Sequence, residues 1–166
     1  MSLPPDARLA RVVLSGEALT RLSPIQEADR AQAVADLAAG GHFAPVAVKS
    51  VVPANGPYEL HLSIWEGRLM FEVRGSDGDR VLLLGLALRP FRGLIKDYQL
   101  LVESHAKAVA EGREARIQAI DMGRRGLHNE GATLLRKRLD GKIAVNFETA
   151  RRLFTLVCVL HTRVQG

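Results

Sequence analysis

Apolar and polar positions follow two different periods along the chain, and each period predicts its own kind of element. Tyr58, Leu60, Leu62 and Ile64 alternate with Glu59, His61 and Ser63, the two-residue period of a half-buried strand. Glu66-Gly67 supplies a turn, Leu69, Phe71 and Val73 form the next inward face, and Ser76-Asp77-Gly78-Asp79 makes a second turn before residues 81–88. This pattern predicts a three-stranded antiparallel meander. Its third strand is apolar on both sides, so it should be covered on both faces. Residues 8–14 alternate loosely and read as a fourth short strand, closed by Ser15-Gly16.

Elsewhere the spacing is helical. Ser23-Pro24 followed by Glu27 is an N-cap with proline at the first helical position, and Ile25, Ala28, Ala31, Val34, Leu37 and Ala38 are the expected buried face of that helix. Pro45, Pro53, Asn55, Gly56 and Pro57 mark residues 42–57 as a loop, with a short extended piece at 46–52. Pro90 opens a long helix whose apolar face is Phe91, Leu94, Ile95, Tyr98, Leu101, Val102, His105 and Val109. Gly112 separates it from a further helix over 114–139, which Asp140-Gly141-Lys142 ends. Asn146 caps a last helix, with Glu148 in its first turn. From Leu153 onward that helix is apolar nearly all round, which predicts the central helix of the fold or a homodimer contact through 147–163. Together these elements predict an α+β protein: a three- to four-stranded antiparallel meander in the N-terminal half, packed against three to four helices. A single domain over 1–166 is expected, with residues 1–6 frayed.

The helix at 114–139 carries an anomaly. At ~100° per residue, Ile117, Ile120, Leu127, Gly131, Leu134 and Leu135 fall on one stripe, and Asp121, Arg124 and His128 fall inside it. A charge facing a core is costly unless paired, so the stripe predicts an Asp121–Arg124 ion pair against His128, or a cleft that admits water or a ligand. Gly123, Gly126 and Gly131 each cost up to ~1 kcal/mol relative to alanine in a helix interior, so they call for close approach of another backbone, a kink or a break. A break at Gly123 or Gly126 would place a new helix N-terminus beside Arg124 and Arg125, making an anion site.

Charge sharpens this reading. The net charge is +5, but residues 1–112 carry 12 Lys and Arg against 13 Asp and Glu, a net of −1, whereas residues 113–166 carry 11 against 5, a net of +6. The basic third suits an acidic protein or a phosphate-bearing small molecule. Nucleic acid is disfavoured, because aromatics are only 5% of the chain and none interleave with the arginines. No apolar run approaches the ~20 residues of a membrane helix, and the N-terminus lacks the layout of a signal peptide, so a cytoplasmic protein is expected. The single Cys158 excludes an internal disulfide, and within its apolar run it reads as a small core residue. No cofactor fingerprint is present, and His128, Glu130 and the other histidines offer no ligand pair of established spacing, so no metal is expected.

The stretches Phe43-Ala44-Pro45-Val46, Gly56-Pro57-Tyr58, Pro90-Phe91-Arg92 and Lys96-Asp97-Tyr98 form one set of signatures. Two longer ones are Asp-Met-Gly-Arg-Arg-Gly-Leu-His-Asn-Glu-Gly at 121–131 and Thr-Ala-Arg-Arg-Leu-Phe-Thr-Leu at 149–156, the latter followed by Cys158 and His161. In these the chain resembles an uncharacterised protein family of alphaproteobacteria. The resemblance covers most of the chain and implies a small cytoplasmic bacterial protein, with no activity to carry over. Gly93 stands where that family usually has a basic residue and His105 where an aromatic is usual, which makes both poor candidates for a shared function.

The favoured expectation is a non-catalytic binding or regulatory module. It would use Arg124, Arg125, Arg151 and Arg152, with His128 and Asn129, to hold an acidic partner or a phosphate group, since the planar arginine fork matches such oxygens. The alternative is an enzyme in which His128 is the acid or base, Asp121 or Glu130 orients it, and Arg124 or Arg125 stabilises negative charge.

Overall fold

A computed structural model of the chain describes residues 6–46 and 54–161. Strand β1 (Leu9–Ser15) leads through a short 3-10 turn to helix α1 (Pro24–Gly40) and strand β2 (Phe43–Pro45). Strands β3 (Tyr58–Trp65), β4 (Arg68–Arg74) and β5 (Arg80–Ala87) follow, then α2 (Arg92–Ala110), α3 (Glu114–Leu139), β6 (Ile143–Val145) and α4 (Phe147–Leu160). The class is α+β, as expected, and β3-β4-β5 is the expected antiparallel meander.

The sheet as a whole is mixed rather than antiparallel. Its order is β1-β3-β4-β5, and β1 runs parallel to β3, with Val12 opposite Leu60 and Leu14 opposite Leu62. A parallel neighbour requires a crossover, and α1 lies in that connection, packed on β1. Local alternation fixes which residues of a strand face inward but says nothing of its partner's direction.

The expected loop at 42–57 is also partly ordered as sheet. Phe43–Pro45 pairs antiparallel with β6, Phe43 opposite Val145, and the Val46 amide donates to the Lys142 carbonyl at 3.0 Å. Most of the extended piece expected at 46–52 lies outside the described residues, as do residues 1–5 of the expected frayed end. Of the expected last helix, residues up to Leu160 are helical, and 162–166 fall outside the description.

One face of the sheet buries Val12, Leu60, Leu62, Leu69, Phe71, Val73 and Leu86 in the same core cluster as Leu37 of α1, Ile95 of α2, Leu135 of α3 and Phe154 of α4. Its other face is not covered by described residues in the way β5's composition suggested, and Leu83 remains 51% exposed. Of the two roles expected for the last helix, the structure shows the central one. α4 touches α1, α2 and α3, and Ala150, Leu153, Phe154, Leu156, Val157, Cys158 and Val159 are all fully buried within the single chain. Their apolar surface is therefore spent inside the fold.

Candidate functional site: an arginine-lined cleft between three helices

Helix α3 occupies the range its periodicity predicted and runs unbroken through Gly123 and Gly126. No new N-terminus forms beside Arg124 and Arg125, so the anion site expected from a helix break is not there. Gly131 has a packing reason, but a side chain supplies it rather than the expected backbone: a Cβ on it would collide with the Phe154 ring of α4. Gly126 has open space around it.

Asp121, Arg124 and His128 do lie together on the inward side, but their organiser is a residue of another helix. Arg124 Nη1 forms a short ion pair with Asp29 Oδ1 of α1, while Nη2 donates to Asp121 Oδ1 at 3.1 Å. The Tyr98 hydroxyl of α2 donates to the other Asp29 oxygen at 2.9 Å. Asp29 thus joins three helices, and it has the two partners that make a largely buried carboxylate tolerable. Burial of Tyr98, and then the negative charge of Asp29 beside it, raises the Tyr98 hydroxyl far above the usual tyrosine range.

His128 is 6% exposed, with its ring 5.7 Å from that of Tyr98 and 6.4 Å from that of Phe154. Its Nε2 is buried and has no hydrogen-bond partner among the described residues. Burial pushes its pKa down to about 4; nearby Asp29 opposes this, and Arg124 and Arg151 reinforce it. The ring is therefore neutral at pH 7.

A second set of charges comes from α4. Asn146 caps that helix by accepting from the Thr149 amide at 2.9 Å, and Arg151 and Arg152 stand one turn further on. Arg151 Nη2 donates to Glu148 Oε2 at 3.1 Å and Arg152 Nη1 to the same oxygen at 3.0 Å. Arg152 Nε lies 3.1 Å from Asp36 Oδ2 of α1, an ion-pair contact without the alignment of a hydrogen bond. The Arg152 guanidinium is the main cause holding the Asp36 carboxyl below its usual range, and Arg151 plays the same part for Glu148. These internal carboxylates answer the conflict between Arg151, Arg152 and the positive end of the α4 dipole.

Between the two sets lies an open cleft of about 230 Å³. Arg124, Arg125, Arg151 and Arg152 line it together with His128, against Asp29 and Asp36 on the α1 side. Arg125 is exposed and makes no ion pair or hydrogen bond among the described residues. The buried Arg151 Nε also lacks a partner there.

Five of the expected residues, Arg124, Arg125, His128, Arg151 and Arg152, therefore share one cleft. Three do not line it. Asp121 gives its carboxylate to Arg124 rather than to His128. Asn129 is exposed, and its backbone carbonyl accepts from the Thr133 hydroxyl at 3.2 Å. Glu130 borders a separate depression between α2 and α3.

The sequence reading missed Asp29, Asp36 and Tyr98 as site residues. It placed the buried face of α1 on Ile25, Ala28, Ala31, Val34, Leu37 and Ala38, whereas Gln26, Ala33 and Leu37 are the buried residues, and Ala28, Ala31 and Ala38 are exposed. Alanines on every side of α1 blur its apolar stripe. The available signal was the seven-residue spacing of Asp29 and Asp36 around Ala33, which puts both acids on one face opposite a basic segment.

An α+β scaffold holding a cationic cleft between α1, α3 and α4 is thus the class that fold and site define. The chain belongs to the uncharacterised protein family UPF0262, whose description matches residues 6–163. It is 66% identical over 160 residues to a UPF0262 protein of Granulibacter bethesdensis, a match spanning 95% of this chain and 91% of that one. It is 58% identical to a UPF0262 protein of Acidiphilium cryptum, spanning 94% and 93%, and 48% identical to one of Brucella canis, spanning 96% of each. No solved structure matches the chain. Among the described residues no helix is long and apolar enough to cross a membrane.

Proposed function

We propose that this protein is a non-catalytic binding module that holds a phosphate- or carboxylate-bearing small molecule in the cleft between α1, α3 and α4. The observation that carries the reading is the lining: four arginines against two aspartates around about 230 Å³, with Arg125 and Arg151 Nε not yet committed to a partner. An entering oxyanion would meet Arg125, the exposed and unpaired arginine of the four. The neutral His128 ring lines the same cleft and adds no charge to it. The volume suits a small metabolite or a single phosphate group rather than a folded acidic protein.

The enzyme reading, with His128 as acid or base oriented by Asp121 or Glu130, ranks second. Acid-base catalysis is most efficient when the catalytic pKa lies near the working pH. His128, at about 4, lies well below it, and the carboxylate beside it is Asp29, already committed to Arg124 and Tyr98.

A thermal-shift panel of phosphate, sulfate, citrate and small phosphometabolites tests the proposal. At least one should raise Tm for the wild type, and Arg125→Glu, an exposed change, should abolish that rise without lowering the basal Tm. A panel in which no compound moves Tm, or in which Arg125→Glu responds like the wild type, would remove the assignment.

A further inference from the structure

A larger concavity lies away from the arginine cleft: a groove of about 810 Å³ running along α2. Arg21 and the start of α1 face α2 across it, and the end of α4 closes it, where the Gln99 amide donates to the His161 carbonyl at 2.9 Å.

The two ends of this groove differ in charge. Arg92 opens α2 and Lys96 follows one turn on; both are exposed, and neither has an ion pair or hydrogen bond among the described residues. No side chain caps the start of α2, and its first turn holds no acid. The turn at Arg89–Phe91 runs straight into α2, with the Arg92 amide donating to the Arg89 carbonyl, so the pull on an anion comes from these two unpaired side chains. Arg21 adds a cation from the opposite wall. Glu103 stands eleven residues beyond Arg92, about 16 Å away at a helical rise of about 1.5 Å per residue. Between these ends the wall is mixed: Leu100, 51% exposed, and the half-buried Val102 supply apolar surface over the buried Ile95, beside the polar Gln99 and Gln26.

We propose that this groove binds an amphiphilic anion with a single charged head, the head at Arg92 and Lys96 and the apolar body along Leu100 and Val102. A small inorganic anion would gain nothing from the apolar surface. A cationic amphiphile meets like charge at the head position, and a molecule charged negatively at both ends meets Glu103 at the far one. The volume falls in the range of about 300–1,000 Å³ common for small-molecule sites. The site shares no lining residue with the arginine cleft, so it stands or falls independently of the function proposed above.

Isothermal titration of the full chain with decanoate, below its micelle concentration, tests the assignment. Butyrate and decyltrimethylammonium serve as short and cationic comparators, and circular dichroism verifies that each variant is folded. Decanoate should bind at one saturable site, with both comparators binding about tenfold more weakly or worse. The Arg92→Glu/Lys96→Glu pair should weaken decanoate by about tenfold or more, and Leu100→Asp should weaken it as well, whereas Arg125→Glu should leave it unchanged. No saturable binding, equal binding of the cationic chain, or undiminished binding to the Arg92→Glu/Lys96→Glu protein would overturn the proposal. Loss with Arg125→Glu alone would also overturn it, since the head would then belong to the other cleft.

Discussion

Between the rings of Tyr98 and Phe154, the charged form of His128 loses more hydration than Asp29 returns in attraction, and the residue folds neutral. Its stability contribution is fully present above the ordinary histidine pKa of about 6.5, where neither folded nor unfolded state carries the proton. As the pH falls from there toward about 4, the unfolded chain takes up a proton that the folded one refuses. The loss should total about 3 kcal/mol. Urea midpoints at pH 7.5 and pH 4.5 for the wild type and His128→Asn check this. The wild-type midpoint should fall further than that of the variant, because acid effects from Asp36 and Glu148 are common to both. Equal falls would show that the ring is not shielded as described. At this scale the sequence was partly legible: Asp121, Arg124 and His128 share one helix, so spacing alone placed them together. Asp29 and Tyr98 come from α1 and α2, and no spacing within α3 could have called them in.

Helices α3 and α4 meet at Gly131, where Phe154 occupies the space a side chain would need. Gly131→Ala should therefore destabilise by about 1–3 kcal/mol in spite of the better helix propensity of alanine, since the buried ring has nowhere to retreat. Gly126→Ala meets no neighbour and should stabilise by up to about 1 kcal/mol. Urea unfolding at pH 7.5 measures both, and a stabilising Gly131→Ala would contradict the packing described. The sequence marked these glycines as needing a reason but not which reason applied, because a break and a close contact leave the same trace in composition. The limits of α3 were readable from its flanking glycines, and the meander from its alternation and turns. The parallel placement of β1, the β2–β6 pair and the true inner face of α1 were not. Each depends on a partner distant in sequence, and on α1 the alanines gave no contrast while the inward aspartates looked like solvent-facing charges.

For the molecule as a whole, the division of charge seen in the sequence has a structural counterpart. The near-neutral N-terminal two thirds build the sheet and supply Asp29 and Asp36, while the basic C-terminal third supplies every arginine of the cleft. Pairing with Asp29 and Asp36 of α1 absorbs part of that charge, which is why the net of +6 overstated how much was available to a partner. What remains in the cleft itself is chiefly Arg125, and it is the basis of the proposed function. The most direct test is a titration of ¹⁵N-labelled protein with inorganic phosphate at pH 7.5 and constant ionic strength. The account predicts saturable shifts confined to residues around Arg124–His128 and Arg151–Thr155 and their α1 neighbours at Asp29–Asp36. Shifts that are absent, that do not saturate, or that spread evenly over the exposed lysines and arginines would contradict it.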